Sequence, residues 1–175
     1  MGKCHYCDLI EKPGKNVLVD EDKMIAILAQ KGVSPSHIEL FTKQHFTIME
    51  QIPDALLGDL FVKANLLSTT AFESLGMQGT NIIVMNGVAA GQKHAHVVIN
   101  IIPRAENDGL NYDWAPKQLT EEEMSTIELK IKEQTEKPVE KSEDVAPVSK
   151  DTKPKKVKKD DDKENYLLKS IERIP

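Results

Sequence analysis

The sequence is notable for what it has little of. Aromatic residues make up only 5% of its 175 residues, and there are only two cysteines. No apolar run approaches the length that crosses a bilayer, and the N-terminus lacks the apolar region of a signal peptide. The net charge of −5 gives no overall attraction for nucleic acid or membranes. We therefore expect a cytoplasmic protein with no membrane partner, for which nucleic acid is not an expected ligand.

The two cysteines lie close together, as Cys4 and Cys7 of a Cys-x-x-Cys sequence. In a chain without a secretion signal, this spacing is more typical of a metal clip or a redox pair than of a structural disulfide. The spacing alone does not decide between these two alternatives.

Short β-rich runs and one long helical pattern organise the first two-thirds of the chain. The predicted strands are residues 16–20, 23–28, 37–42, 80–85 and 94–102. A helix is predicted over residues 53–75, with Pro53 in its first turn and Gly76 at its end. Its expected buried stripe consists of Leu56, Leu60, Ala64, Leu67, Ala71 and Leu75. Hairpin-length connections between most strands favour an α+β fold with a five-stranded antiparallel sheet.

The chain divides by composition into a globular domain, residues 1–115, and a charged tail. Thr120 and Glu123 form a capping-box pattern, which predicts a helix within residues 116–136. Residues 137–164 are predicted to be a disordered linker, because they hold too few apolar residues to offset chain entropy. Residues 165–175 regain apolar side chains at helical spacing and predict a short docking helix. A basic run at 153–159 is followed at once by three aspartates, which favours a solvated linker over a nucleic-acid patch.

The most informative stretch is residues 91–104, GQKHAHVVINIIPR. It resembles the signature of the histidine-triad (HIT) family, in which Gly-Gln precedes three alternating histidines and two apolar residues precede Pro-Arg. In that register His96, Val98 and Asn100 occupy the three histidine positions. The resemblance extends to CHYCDLI at residues 4–10, PSHIELFTKQH at 35–45 and Asn86-Gly87, and covers residues 1 to about 115.

The resemblance implies a fold and a chemistry, and the chemistry is altered here. In the family, the second histidine attacks the α-phosphorus of a nucleotide, which requires an imidazole nitrogen with a free lone pair. Val98 has no lone pair, and Asn100 cannot carry a proton near neutral pH. Ala29 stands where the family has an acidic residue that holds the ribose hydroxyls. The usual nucleotidyl-histidine intermediate is therefore not expected.

Other positions match residues that line the family's pocket. By resemblance, the nucleotide- or phosphate-binding candidates are His37, Asn86, Gln92 and Asn100. Two of these have structural alternatives: His37 closing a turn after Pro35, and Gln92 capping a loop backbone. His94 is either a displaced nucleophile or a histidine satisfied by hydrogen bonds beneath the pocket, and the second interpretation is favoured.

The resemblance also implies a metal site. In the zinc-bearing branch of the family, the ligands correspond to Cys4, Cys7, His45 and His96, and all four are present. Two thiolates and two imidazoles form a closed tetrahedral set, which is typical of structural rather than catalytic zinc. The expected architecture is thus a HIT-like α+β fold with an N-terminal zinc clip.

Three functional hypotheses follow. The leading one is a homodimeric HIT-like protein that lacks the usual chemistry, retains structural zinc and a vestigial nucleotide or phosphate pocket, and acts as a binding or interaction module. The rival is an active nucleotide hydrolase or nucleotidyl transferase that uses a displaced residue such as His94. The third is a scaffold that works through its tail. The homodimer is implied by the resemblance, because the family pairs its central helices and edge strands across a two-fold axis.

Overall fold

The computed structural model describes residues 4–135. These fall into two units, residues 4–110 and 111–135. The first unit holds helices α1 (His5–Glu11) and α2 (Asp54–Leu75) and strands β1 (Val17–Asp20), β2 (Met24–Leu28), β3 (Ile38–Thr42), β4 (Gly79–Val84) and β5 (Val98–Arg104). Single turns of 3₁₀ helix lie at Met49–Gln51 and Val88–Ala90. The second unit holds helix α3 (Glu121–Thr135).

All strand pairs are antiparallel, and the strand order is β1-β2-β3-β5-β4. The predicted α+β architecture, with five antiparallel strands and one long helix, is confirmed. The first two predicted strands form a hairpin, with the Glu21 amide donating to the Met24 carbonyl at 3.0 Å. Within residues 4–135, no helix has the length and apolar character needed to cross a bilayer.

Helix α2 covers one face of the sheet. It begins after Pro53 and ends at Gly76, whose φ of 63° is the left-handed conformation that glycine adopts without strain. Leu60, Ala64, Leu67 and Ala71 are buried, as the stripe predicts. Leu56 is only partly buried, and Leu75, which lies in the last turn, stays 52% exposed.

The opposite face of the sheet holds a smaller apolar cluster beneath α1. Tyr6, Ile25, Ile27 and Phe41 are buried there, and Val98 packs against them. The short helix α1 was not predicted, because the seven residues around the Cys-x-x-Cys pair have no extended apolar period. Its position on this face brings both cysteines next to the sheet.

The start of β5 differs from the prediction. The strand begins at Val98 rather than at His94, and ends at Arg104. The backbone bends before it, because the His94 carbonyl accepts bonds from the His96 amide at 2.8 Å and from the Gln92 side chain at 2.9 Å. That carbonyl is therefore used within the loop and not in a strand ladder. Because His94 lies before β5, the alternation of side chains along that strand does not determine which way His94 faces.

The Thr120–Glu123 capping box is present before α3. The Glu123 carboxylate accepts from the Thr120 amide at 2.9 Å, and the Glu123 amide donates to the Thr120 hydroxyl at 3.3 Å. The predicted linker at 137–164 and docking helix at 165–175 lie outside the described residues.

Candidate functional site

The four predicted metal ligands come together. One nitrogen or sulfur atom from each of Cys4, Cys7, His45 and His96 lies within 4.8 Å of the others. The Cys4 Sγ is 3.6 Å from the His96 Nδ1, and the Cys7 Sγ is 3.3 Å from the His45 Nδ1. The Cys7 Sγ is also 3.9 Å from the His96 Nδ1. Helix α1, the loop after β3 and the bend before β5 thus meet at one point.

Hydrogen bonds outside the cluster orient its histidines. The His96 Nε2 lies 2.9 Å from the Thr42 carbonyl oxygen, which can only accept, so this nitrogen carries the proton. The Nδ1 lone pair of His96 is then directed toward the sulfurs. The His45 Nε2 lies 3.4 Å from the Thr47 hydroxyl, which leaves its Nδ1 facing Cys7. Such outer partners are typical of metal-binding histidines.

Burial sets the protonation of the cluster. It lowers the pKa of His96 to about 4 and also lowers the pKa of His45, so both imidazoles are neutral near pH 7. Burial, followed by the neighbouring Cys4, raises the pKa of the Cys7 thiol to about 11. A divalent cation held between the sulfurs would reverse this effect and favour thiolates.

The spacing fits a tetrahedral ion. With zinc–sulfur and zinc–nitrogen bonds of about 2.3 and 2.0 Å, a tetrahedral angle places sulfur and nitrogen about 3.5 Å apart. The three observed sulfur–nitrogen distances, 3.6, 3.3 and 3.9 Å, scatter around that value. The four residues can therefore hold a metal ion, with the ligand set complete and no position left for a substrate.

A cavity of about 600 Å³ lies beside this cluster, on the sheet face away from α2. Its apolar wall includes Leu9, Ile27 and Val98, and its polar lining includes His37, Gln92 and Asn100. Cavities of this size accommodate small organic ligands. Val98, which the resemblance places at the nucleophile position, contributes an apolar side chain to the wall of this cavity.

His37 and Asn100 form a linked pair in this wall. The His37 Nδ1 accepts from the Val33 amide at 3.3 Å, so its Nε2 carries the proton and donates to the Asn100 Oδ1 at 3.1 Å. The Asn100 Nδ2 in turn donates to the Ile83 carbonyl at 3.3 Å. Both nitrogens of the buried His37 ring are therefore engaged in structural hydrogen bonds.

Gln92 is buried and serves the surrounding loops. Its Oε1 accepts from the Gly87 amide at 2.7 Å, and its Nε2 donates to the Thr47 and His94 carbonyls at 2.7 and 2.9 Å. Gln92 therefore caps loop backbone, which was the alternative to phosphate binding, and it also lines the pocket.

Asn86 and His94 lie nearer the surface. The Asn86 Oδ1 accepts from the Met49 amide, and its Nδ2 donates to Glu50, both at 2.9 Å; Asn86 is not among the residues that line the cavity. His94 is exposed at the rim, with its ring stacked 5.1 Å from that of His5. It does not lie beneath the pocket, because the bend before β5 carries it outward.

Sequence reasoning missed Glu39. Its side chain lines the cavity, and its carboxylate, after burial, raises the pKa of the Tyr6 hydroxyl. The signal was present, since Glu39 is the one charged residue in the otherwise apolar start of β3, Ile38–Phe41. On a strand, residue 39 shares a face with Phe41, which is the pocket side.

Known proteins resemble this chain in sequence and fold. The HIT domain family matches residues 11–107. Adenylylsulfatase HINT3 from Arabidopsis thaliana is 32% identical over 117 residues, which are 66% of this chain and 58% of that protein. The chain thus spans less than two-thirds of that relative's length.

Two solved structures share the fold. A histidine triad nucleotide-binding protein from Candida albicans has a TM-score of 0.66 and 24% identity, over 77% of this chain and 98% of that one. A zinc-bound histidine triad family protein from Mycobacterium smegmatis has a TM-score of 0.58 and 19% identity, over 77% and 96% of the two chains. The two structures share the fold, and the match to the HIT domain over residues 11–107, more than half of the sequence, shows that the chain belongs to the HIT domain family.

Proposed function

We propose that this HIT-domain protein binds a nucleotide-type ligand in the 600 Å³ cavity without forming a nucleotidyl-histidine. The observation that carries the proposal is Val98, a hydrocarbon side chain in the pocket wall at the position of the family's nucleophile. A covalent step there needs a nitrogen lone pair directed at phosphorus, and valine supplies none. The protein then acts as a binding or interaction module.

The neighbouring residues do not replace the nucleophile. His37 has both ring nitrogens engaged, with Val33 and Asn100. Asn100 can position a ligand but cannot transfer a proton. Attack by His37 would first break a hydrogen bond that holds the pocket wall together.

The rival function is a hydrolase that uses His94. One observation favours it: partial burial of the ring and the nearby His5 lower the pKa of His94, which favours the neutral ring that a nucleophile requires. Against it, the contacts that hold His94 are ring contacts with His5 and Tyr6, at centroid distances of 5.1 and 5.6 Å. Ring stacking does not aim a particular nitrogen, whereas a nucleophilic imidazole is aimed by a partner on its other nitrogen.

Turnover assays separate the two functions. Adenosine 5′-phosphoramidate and adenylyl sulfate, the latter chosen from the name of the Arabidopsis relative, should be hydrolysed at close to background rates. Val98→His alone should restore little activity, and Ala29→Asp with Val98→His and Asn100→His should restore more. The rival would be established by two results: brisk hydrolysis by the unaltered protein that His94→Ala abolishes, and a nucleotidyl adduct trapped on the unaltered protein.

We also propose that the cluster of Cys4, Cys7, His45 and His96 holds one structural zinc ion. The ligand types, the sulfur–nitrogen distances and the outer hydrogen bond to His96 support it. Metal analysis of protein purified without chelators should find one zinc per chain, and X-ray absorption should find zinc–sulfur distances of about 2.3 Å. Protein that is stable and free of metal would contradict the proposal.

We further propose a homodimer located in the cytoplasm. Phe61, Phe72 and Leu75 are 42%, 48% and 52% exposed along one stripe of α2, and β4 is an edge strand. A second copy could cover both features. A reducing compartment would keep the cysteine pair available for metal. Sedimentation should give a dimer that Phe72→Glu weakens, while Val62→Glu, on another side of the helix, leaves it intact.

A further inference from the structure

We propose that Glu39 makes the wall of the cavity a site for a positively charged or hydrogen-bond-donating group of the ligand, and disfavours a phosphate there. The inference rests on the proposed nucleotide-type ligand and specifies which chemistry the pocket accepts beside Glu39. Its starting point is the sheet register. Glu39 pairs directly with Asn100 on β5 and with Ile27 on β2.

Directly opposed residues of an antiparallel pair point to the same face, with Cβ atoms about 5 Å apart. Glu39, Asn100 and Ile27 all line the cavity, in agreement with that rule. The carboxylate thus lies beside the His37–Asn100 pair and diagonally across from Val98, and not at the distant rim.

The charge of Glu39 is not neutralised by a protein cation. Glu39 takes part in none of the ion pairs found within residues 4–135. It is also the only carboxylate among the described residues that line the cavity. The two lysines of the lining, Lys31 and Lys93, are exposed. A half-buried carboxylate without a counterion favours a ligand that supplies one.

Hydrogen-bonding capacity leads to the same conclusion. An ionised carboxylate has about four acceptor positions, and the Tyr6 hydroxyl, which lines the same cavity, can donate to one of them. The remaining positions are open to a ligand. An ammonium, amidinium or hydroxyl group satisfies them, whereas phosphate oxygens bring only further acceptors.

The neighbouring polar groups offer a phosphate few donors. The His37 N–H is used by Asn100, and the Asn100 amide donates one of its two N–H groups to Ile83. The Gln92 amide donates to the Thr47 and His94 carbonyls. This part of the wall therefore has more acceptors than free donors, the reverse of an anion site.

Three adenine nucleosides that differ only at the 5′ position test the inference: adenosine, AMP and 5′-amino-5′-deoxyadenosine. Titration calorimetry with the full zinc-loaded chain should give the tightest binding for the amine and the weakest for AMP. A charge interaction between the Glu39 carboxylate and the 5′ group of a ligand in the same cavity predicts that the Kd values for AMP and the amine differ by a factor on the order of tenfold or more. Glu39→Gln should reduce that ratio toward one, mainly by strengthening AMP and weakening the amine.

Glu73→Gln is the matched control, because it removes the same charge from an exposed position on α2, on the other side of the sheet. It should keep the unaltered order of affinities. Added salt provides a second measurement that needs no variant, since screening should weaken the amine and strengthen AMP. AMP binding tighter than the amine, with Glu39→Gln unchanged, would overturn the role of Glu39 alone. Binding of none of the three nucleosides would overturn the nucleotide-type pocket as well.

Discussion

Replacing Cys7 with serine tests how much of the fold depends on the metal cluster. The change removes one sulfur ligand, 3.3 Å from the His45 Nδ1, and preserves nearly the same side-chain shape. Hydroxyl groups are poor zinc ligands beside thiolates, so we expect the ion to be lost or held weakly. Because Cys7 is only half-buried, little apolar packing changes with it.

The expected loss of stability is large. Helix α1 has seven residues, and its N-cap residue, Cys4, makes no side-chain capping bond. A helix this short is not stable alone, so it relies on Tyr6 packing and, if the zinc proposal holds, on the bound ion. Structural zinc contributes roughly 10 kcal/mol in small domains, against a total stability of about 5–15 kcal/mol. We expect Cys7→Ser to cost at least about 3 kcal/mol, or about 12 °C in Tm.

The assay combines the mutation with a chelator. Thermal unfolding is followed for the unaltered protein, for Cys7→Ser and for the control Asp8→Asn, which alters an exposed neighbour in α1. Chelator should lower the Tm of the unaltered protein and of the control to near that of Cys7→Ser, and should barely affect Cys7→Ser. Equal decreases in all three proteins, or no decrease in any, would refute the reasoning, because the two perturbations must act on the same ion.

Other predictions follow from single contacts. Burial lowers the pKa of His96 to about 4, so as pH falls this histidine is protonated in the unfolded chain before it is protonated in the folded protein. The free energy of unfolding, measured by urea titration, should therefore fall as pH drops from about 6.5 to about 4. Gln92→Leu should cost about 3 kcal/mol, measured by the same titration, because buried backbone groups lose their partners. Gly76→Ala should lower stability by about 1 kcal/mol, because residue 76 has a φ of 63°. Gly58→Ala, inside α2 with open space around it, should raise stability by about 0.5–1 kcal/mol. A higher Tm for Gly76→Ala or a lower Tm for Gly58→Ala in thermal melts would contradict this.

Much of the fold was readable from local patterns. The period of α2, its boundaries at Pro53 and Gly76 and the capping box before α3 each depend on residues near in sequence, and the structure contains all of them. Helix α1 was missed because its stability comes from contacts with the sheet and not from its own sequence. The bend before β5 was missed for a related reason. The Gln92 side chain that donates to the His94 carbonyl also donates to the carbonyl of Thr47, which is distant in sequence.

The sequence by itself determined the family, the four residues that can hold a metal ion and the absence of an imidazole at residue 98, because these are matters of residue type and spacing. Only the tertiary structure decided how the remaining polar residues are used. It engages both nitrogens of His37, commits Gln92 to loop backbone and brings Glu39 beside Asn100. Hydrogen-bond partners and charge neighbours come from strands far apart in the chain, and a single residue's type does not specify what will face it across the sheet.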